Sequence, residues 1–203
     1  QPAPEHWQHV REHLTKARAL PPAYIDRLHE LGDLYADAKR NAVFVCRDPE
    51  TTRITGAEIK GTVPRPDGSR FTGMAPGSRK DGGGFRVGDI AKAATVYLVE
   101  SAIDAISLFK LRQDAGERGH AVVSTAGTTP ARRVCAFDND RAGDEAAHKL
   151  RRHKFERMKP SGKDWNDDLK AARDQSQAGG RETPPQDPFA TSEPDTAPSP
   201  FDP

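Results

Sequence analysis

From Thr95 onward the sequence alternates short apolar runs with helix-like stretches, and this alternation constrains the fold more than any other feature. Thr95-Val96-Tyr97-Leu98-Val99 ends at Glu100, His120-Ala121-Val122-Val123-Ser124 follows, and Arg133-Val134-Cys135-Ala136-Phe137 runs into Asp138-Asn139-Asp140. Runs this short and apolar read as buried strands, and strands alternating with helices predict a parallel sheet in an α/β layer. Ser101 opens a helix carrying Ile103, Ile106, Leu108 and Phe109, with Ser101-x-x-Asp104 as a capping box. Arg141 starts another, whose small residues Ala142, Gly143, Ala146 and Ala147 let it lie close on the sheet. A last helix is expected from near Asp164 to Asp174. One connection departs from this pattern: about eight residues separate Ser124 from Arg133, where a parallel crossover takes about a dozen. Either a stretch of chain is missing there or the local topology differs.

The preceding residues have a different period. His6 to Ala19 reads as a polar helix, and Tyr24, Ile25, Leu28 and Leu31 recur at helical spacing after Pro21-Pro22, with Gly32 as a stop. Asn41 to Arg47, Ile54 to Lys60 and Arg70 to Thr72 then read as short strands punctuated by Asp48-Pro49, Pro64 to Gly68 and Gly77, which predicts a small antiparallel unit. The expected organisation is an α+β module over 1–92, an α/β domain over 93–174 and a tail over 175–203.

That tail holds one basic residue, Arg181, against five acidic ones, for a charge of −4, and it contains seven prolines with no Ile, Leu or Val. Too little apolar surface is available to offset the entropy of ordering, so it is expected to be disordered. The whole chain carries 31 Lys+Arg against 30 Asp+Glu, which leaves +5 on residues 1–174. A basic body leans toward a polyanionic partner. No apolar run reaches the roughly 18 residues of a membrane span, and no basic-then-apolar leader opens the chain. Cys46 and Cys135, the two cysteines, cannot complete a four-ligand zinc site and read as buried thiols in a reducing cytoplasm. The chain begins at Gln1, which suggests a processed chain or a piece of a longer one.

In open α/β sheets ligands bind outside the carboxyl ends of the strands. Glu100, Asp138 and Asp140 all fall there, and period-two alternation puts Asp138 and Asp140 on one side. Clustered carboxylates repel one another and raise their own pKa values, a penalty that a hard divalent cation removes.

These residues carry a resemblance. Glu100 at a strand end, the Gly127 turn, and Asp138-x-Asp140 followed by Ala142-Gly143 resemble the Toprim domain shared by primases, topoisomerases and some nucleases. Lys163-Asp164-Trp165-Asn166-Asp167, after a further short strand, is similar to the Lys-Asp segment of primase-type members. Val43 to Asp48, Gly56-Ala57-Glu58 and Phe71 to Ala75 resemble the uncharacterised module that often precedes Toprim in plasmid or phage primase-like and mobilization proteins. The resemblance covers about residues 20 to 172. It implies a Toprim-like parallel sheet flanked by helices, and Mg²⁺ or Mn²⁺, with no zinc, on Asp138 and Asp140. Glu100 would share the metal or act as general acid or base, Asp164 would be a further metal-site acid, and Lys163 a phosphate contact. Expected partners are DNA, single-stranded for preference, and nucleotides, with a helicase, a relaxase or the rest of a longer protein. Primase-like nucleotidyl transfer leads, ahead of a metal-dependent nicking nuclease and of a non-catalytic DNA-binding module.

Other features have plainer readings beside the functional ones. Asp140 is also placed to cap a helix, with Asp138 a solvated loop acid, and Asp104 serves first as a capping residue. His6, His9 and His13 share a helix face that reads as solvated. Gly82-Gly83-Gly84 reads as a hairpin loop before it reads as a phosphate cradle, and Trp165 packs the last helix before it stacks a base. Lys60, Arg70, Arg79, Lys80 and Arg86 offer a basic track, with Arg141 and Lys163 as further contacts, or else scattered surface charge. Only Tyr24, Tyr35 and Tyr97 could serve as a topoisomerase nucleophile.

Overall fold

The computed structural model describes residues 1–48, 51–79, 83–124, 132–150 and 155–179. The first expected helix is wound in three modes: a 3₁₀ turn over Pro4–His6, α1 (Trp7–Glu12) and a π turn over His13–Ala17. Helix α2 (Pro22–Glu30) begins on a proline, whose missing N–H is no loss at a first position, and stops before Gly32. Tyr24, Ile25 and Leu28 are its buried stripe.

Four strands follow as an antiparallel meander in the order β1 (Leu34–Ala36), β2 (Asn41–Arg47), β3 (Ile54–Gly61) and β4 (Thr72–Met74). Strand β1 was not expected, and the strand expected over Arg70–Thr72 is shifted onward to β4. Register places Phe44 opposite Glu58 and Ala42 opposite Lys60. Cross-strand partners share a face, and Ala42, Phe44 and Cys46 belong to the main core. The meander therefore turns two charged residues, Glu58 and Lys60, toward its apolar side, and each needs a partner there.

The second sheet has the order β5-β7-β6-β8-β9. Strands β6 (Thr95–Leu98), β7 (His120–Val123), β8 (Arg132–Cys135) and β9 (Glu156–Arg157) are parallel, as the alternation predicts. Strand β5 (Arg86–Val87) lies within the stretch assigned to the first module yet pairs antiparallel with β7, so the two units share an edge. Helix α3 (Ala102–Asp114) follows β6, α4 (Arg141–Leu150) follows β8, and α5 (Trp165–Gly179) runs five residues past the end expected at Asp174.

Alternation along the strands divides the interior in two. Tyr97, Val99, Val122, Val134 and Ala136 join α3, α5, the N-terminal helices and the meander in one continuous core. Val96, Leu98, Ala121 and Val123 face the other way, with Phe137, Leu150 and Phe155 packed on them. Both thiols are buried and free, and burial pushes each up to about 11. Among the described residues no helix is long and apolar enough to cross a membrane. Gly127 and most of the short Ser124–Arg133 connection lie outside the described residues, as do Lys80, Gly82 and residues 180–203 of the expected tail.

Candidate active site

Parallel pairing of β6 with β8 brings their carboxyl ends together, with Leu98 beside Cys135 and the Ala136 N–H donating to the Leu98 carbonyl at 2.7 Å. Two residues on, the Asp138 N–H donates to the Glu100 carboxylate. Burial raises the Glu100 carboxyl above its ordinary value; that hydrogen bond opposes the rise, Asp140 adds to it and Arg157 lowers it.

Asp138 is the most perturbed acid of the group. Burial, then the negative charges of Asp104, Glu100, Asp164 and Asp140, push it up to about 7. Its Oδ1 is buried and has no hydrogen-bond partner among the described residues. A half-buried carboxyl facing four others is thus held with one oxygen unmatched, which does not fit the solvated-loop reading. Asp140 does cap α4, accepting the Gly143 N–H at 2.8 Å, while still facing Asp138 and Glu100. Asp164 likewise accepts the Asp167 N–H at the start of α5.

Asp104 does more than its capping reading allowed. Ser101 Oγ accepts its N–H at 3.3 Å and donates to its Oδ2 at 2.5 Å, closing the capping box. Yet its residue is only 6% exposed, and burial pushes the carboxyl up to about 6 against the Ser101 bond, with Asp164 adding to the rise. One turn beyond Glu100, it acts on Asp138 as part of the acidic group. Glu58 and Lys60, on the meander, adjoin Asp104: Glu58 accepts the Ala102 N–H at 2.9 Å and pairs with Lys60 Nζ at 2.9 Å. Lys60 lowers the Asp104 carboxyl and Glu58 raises it.

The remaining basic residues are dispersed. Lys163 is exposed beside Asp164, and its carbonyl accepts the Asn139 N–H at 2.9 Å, so it borders the acids. Arg141 is exposed and pairs loosely with Glu145 at 3.6 Å. Arg86 sits on edge strand β5 with β7 between it and β6, and Arg79 is exposed with its N–H on the Thr55 carbonyl. Lys60 and Lys163 flank the acids.

Several plainer readings hold. Trp165 is buried and its Nε1 donates to the Ala136 carbonyl at 2.5 Å, so it packs α5 on the sheet. Gly84 bridges Arg47 of β2. Tyr24 and Tyr97 are buried, bonded to Gln113 and Glu117. The histidine face is less solvated than expected: His9 bonds Thr62 Oγ1 at 2.9 Å, and burial pushes His13 down to about 4.

Sequence reasoning missed Glu58 and Arg157. A guanidinium on β9, Arg157 donates through Nη1 to the carbonyls of Met158 (2.6 Å), Phe137 (2.7 Å) and Cys135 (3.4 Å). Its Nη2 donates to the Asp138 carbonyl (2.8 Å) and to Asp144 Oδ1 (3.2 Å). Glu58 showed only as a lone carboxylate within the strand run Ile54 to Lys60, and its place opposite Phe44 follows from the pairing of β2 with β3; no sequence signal marked Arg157.

Among the described residues no three His, Cys, Asp or Glu side chains form a ready-made metal ligand set. The donor chemistry nonetheless fits a hard cation. The unmatched oxygen of Asp138 wants a positive partner, the charges that raise its carboxyl are all carboxylates, and Mg²⁺ takes only one or two protein carboxylates and keeps its waters.

Residues 12–93 match a family described as a protein of unknown function (DUF3991), and residues 97–169 match the Toprim-like family. No curated protein matches the chain. Among solved structures, the primase fragment of the bacteriophage T7 primase-helicase protein is similar at TM-score 0.53 and 16% identity, over 80% of this chain and 71% of that one. The DnaG catalytic core is similar at TM-score 0.50 and 16% identity, over 84% and 72%. At this identity the likeness is one of fold. The chain is accordingly a Toprim-like domain, over the residues that carry the acids at the parallel strand ends, preceded by a DUF3991 module that contains the meander.

Proposed function

We propose that the chain is a primase-like nucleotidyl-transfer domain that acts on nucleic acid with Mg²⁺ or Mn²⁺. The observation that carries the reading is the Asp138 carboxylate, its Oδ1 buried without a partner and surrounded by Asp104, Glu100, Asp164 and Asp140. Asp138 and Asp140 would hold the metal, and Glu100 and Asp164 would be further acids available to it. Bound there, a divalent ion supplies positive charge to the phosphate oxygens of phosphoryl transfer.

The protein's own contribution is position. Strand ends β6 and β8 fix Glu100 against the Asp138 backbone, and the α4 cap fixes Asp140. Lys163, exposed beside Asp164, is the proposed phosphate contact. Lys60 donates to Glu58 and its charge lowers the neighbouring Asp104 carboxyl. Single-stranded DNA and nucleotides are the proposed substrates, with a plasmid or phage replication or transfer setting and a helicase or relaxase beside it. The likeness to two primase cores and the Toprim-like match support this.

Incubation with Mn²⁺ or Mg²⁺, single-stranded DNA and labelled ribonucleotides tests the reading. Oligoribonucleotide products support it. Strand cleavage alone identifies a nuclease, and salt-sensitive binding without either product identifies a binding module.

A further inference from the structure

We propose that Arg157 is a positioning residue that sets the backbone of the Asp138 loop, and that it takes no part in holding substrate. This rests on the reading of Asp138 as the central acid. Three observations converge on it.

First, both Nη atoms of Arg157 are committed. They share five acceptors: the carbonyls of Cys135, Phe137, Asp138 and Met158, and Asp144 Oδ1. Its Nε is buried and, among the described residues, has no partner. No Nη donor is left for an incoming phosphate, which separates Arg157 from the exposed Lys163.

Second, the acceptors are the carbonyls where β8 stops. Phe137 and Asp138 lie past the last β8 pair, Cys135 with Arg157, so their carbonyls stand outside the ladder formed by the described strands. A planar guanidinium reaches several at once, which an ammonium cannot do from one point. Bonding consecutive carbonyls fixes their peptide planes, and hence the direction in which the Asp138 side chain leaves the chain.

Third, α4 packs against the same carbonyl. A Cβ placed on Gly143 would lie 2.2 Å from the Asp138 oxygen, so α4 sits against that peptide with no room to spare. Asp144 of α4 accepts from Arg157 and from Lys159 Nζ, which ties the helix to the same fork. The loop is held between Arg157 and the first turn of α4, and Asn139 is latched to the Lys163 carbonyl beyond it.

The test uses the whole chain without metal or substrate, so it stands apart from catalysis. Hydrogen exchange is followed at the amides of Ala136, Asn139 and Gly143 in wild type, Arg157→Lys and Arg157→Ala, each checked for intact α3 and α5 protection. The expected result is exchange at Asn139 and Gly143 faster by about tenfold or more in both variants. Guanidinium ion at millimolar concentration should restore protection to Arg157→Ala, and ammonium should not. Unchanged exchange in Arg157→Ala, or full protection in Arg157→Lys, overturns the proposal. If Arg157→Ala does not fold, Arg157→Lys alone decides. Where wild type is active, kcat should fall by about 100-fold for a displacement of about 1 Å, with KM nearly unchanged. An inactive wild type defeats the functional reading and leaves the exchange result to judge Arg157.

Discussion

Glu58 Oε2 accepts the Ala102 N–H at 2.9 Å, joining the middle of the meander to the first turn of the helix that follows Glu100. The carboxylate is 7% exposed by residue and also holds Lys60. A negative charge at a helix N-terminus is favourable, and removing one partner of a buried pair is costly. Glu58→Ala should therefore destabilise the chain by about 3 kcal/mol, read as a lower urea midpoint with unchanged slope. Glu58→Gln, which still accepts the Ala102 N–H, should recover part of that loss.

The acid cluster makes stability depend on pH in a direction opposite to ordinary surface acids. Asp138 is raised to about 7 from an ordinary 3.8, so the fold binds its proton more tightly than the unfolded chain does. Its stabilising protonation is complete below about pH 4 and is lost as pH rises through about 7. Metal-free protein should lose stability over that window, by up to a few kcal/mol on the scale of about 1.4 kcal/mol per unit. Thermal melts at pH 5 and pH 8 measure it. Asp138→Asn should flatten the difference and raise Tm at pH 8, even as it removes the activity.

Gly143 is a packing requirement of the same loop. Alanine normally gains about 1 kcal/mol over glycine inside a helix, yet here its Cβ would meet the Asp138 oxygen at 2.2 Å. Gly143→Ala should destabilise the protein, by about 1–3 kcal/mol as overpacking does. Ala142, exposed one residue earlier, should tolerate serine, and parallel urea titrations compare the two.

The Trp165 indole donates to the Ala136 carbonyl from within the core. Trp165→Phe keeps an aromatic ring but removes the Nε1 donor and leaves the Ala136 carbonyl without it, so a loss of at least about 1–2 kcal/mol is expected. Trp7 is partly buried, so near-ultraviolet circular dichroism reports both sites.

Much of this architecture was legible because its signals are local. Three apolar runs, their terminal acids and the Ser101 box are each contained within a few residues, and they fix β6, β7, β8 and α3. What escaped depends on contacts between distant positions. Glu58 meets Ala102 across 44 residues, and Arg157 meets Asp138 across 19. Strand β5 has two residues, too few for any period to show. Asp104 was read by its local cap, which is correct, while its burial beneath Asp138 and Asp164 follows only from the packing of α3 against α5.

The central claim is that Asp138 and Asp140 form a divalent-cation site that serves phosphoryl transfer. Calorimetric titration of Mn²⁺ into wild type and into Asp138→Asn with Asp140→Asn, both checked for fold, tests it most directly. Saturable binding by wild type that falls at least tenfold in the double variant, together with loss of oligoribonucleotide synthesis, is the expected result. Equal Mn²⁺ binding and equal activity in the two proteins would contradict it.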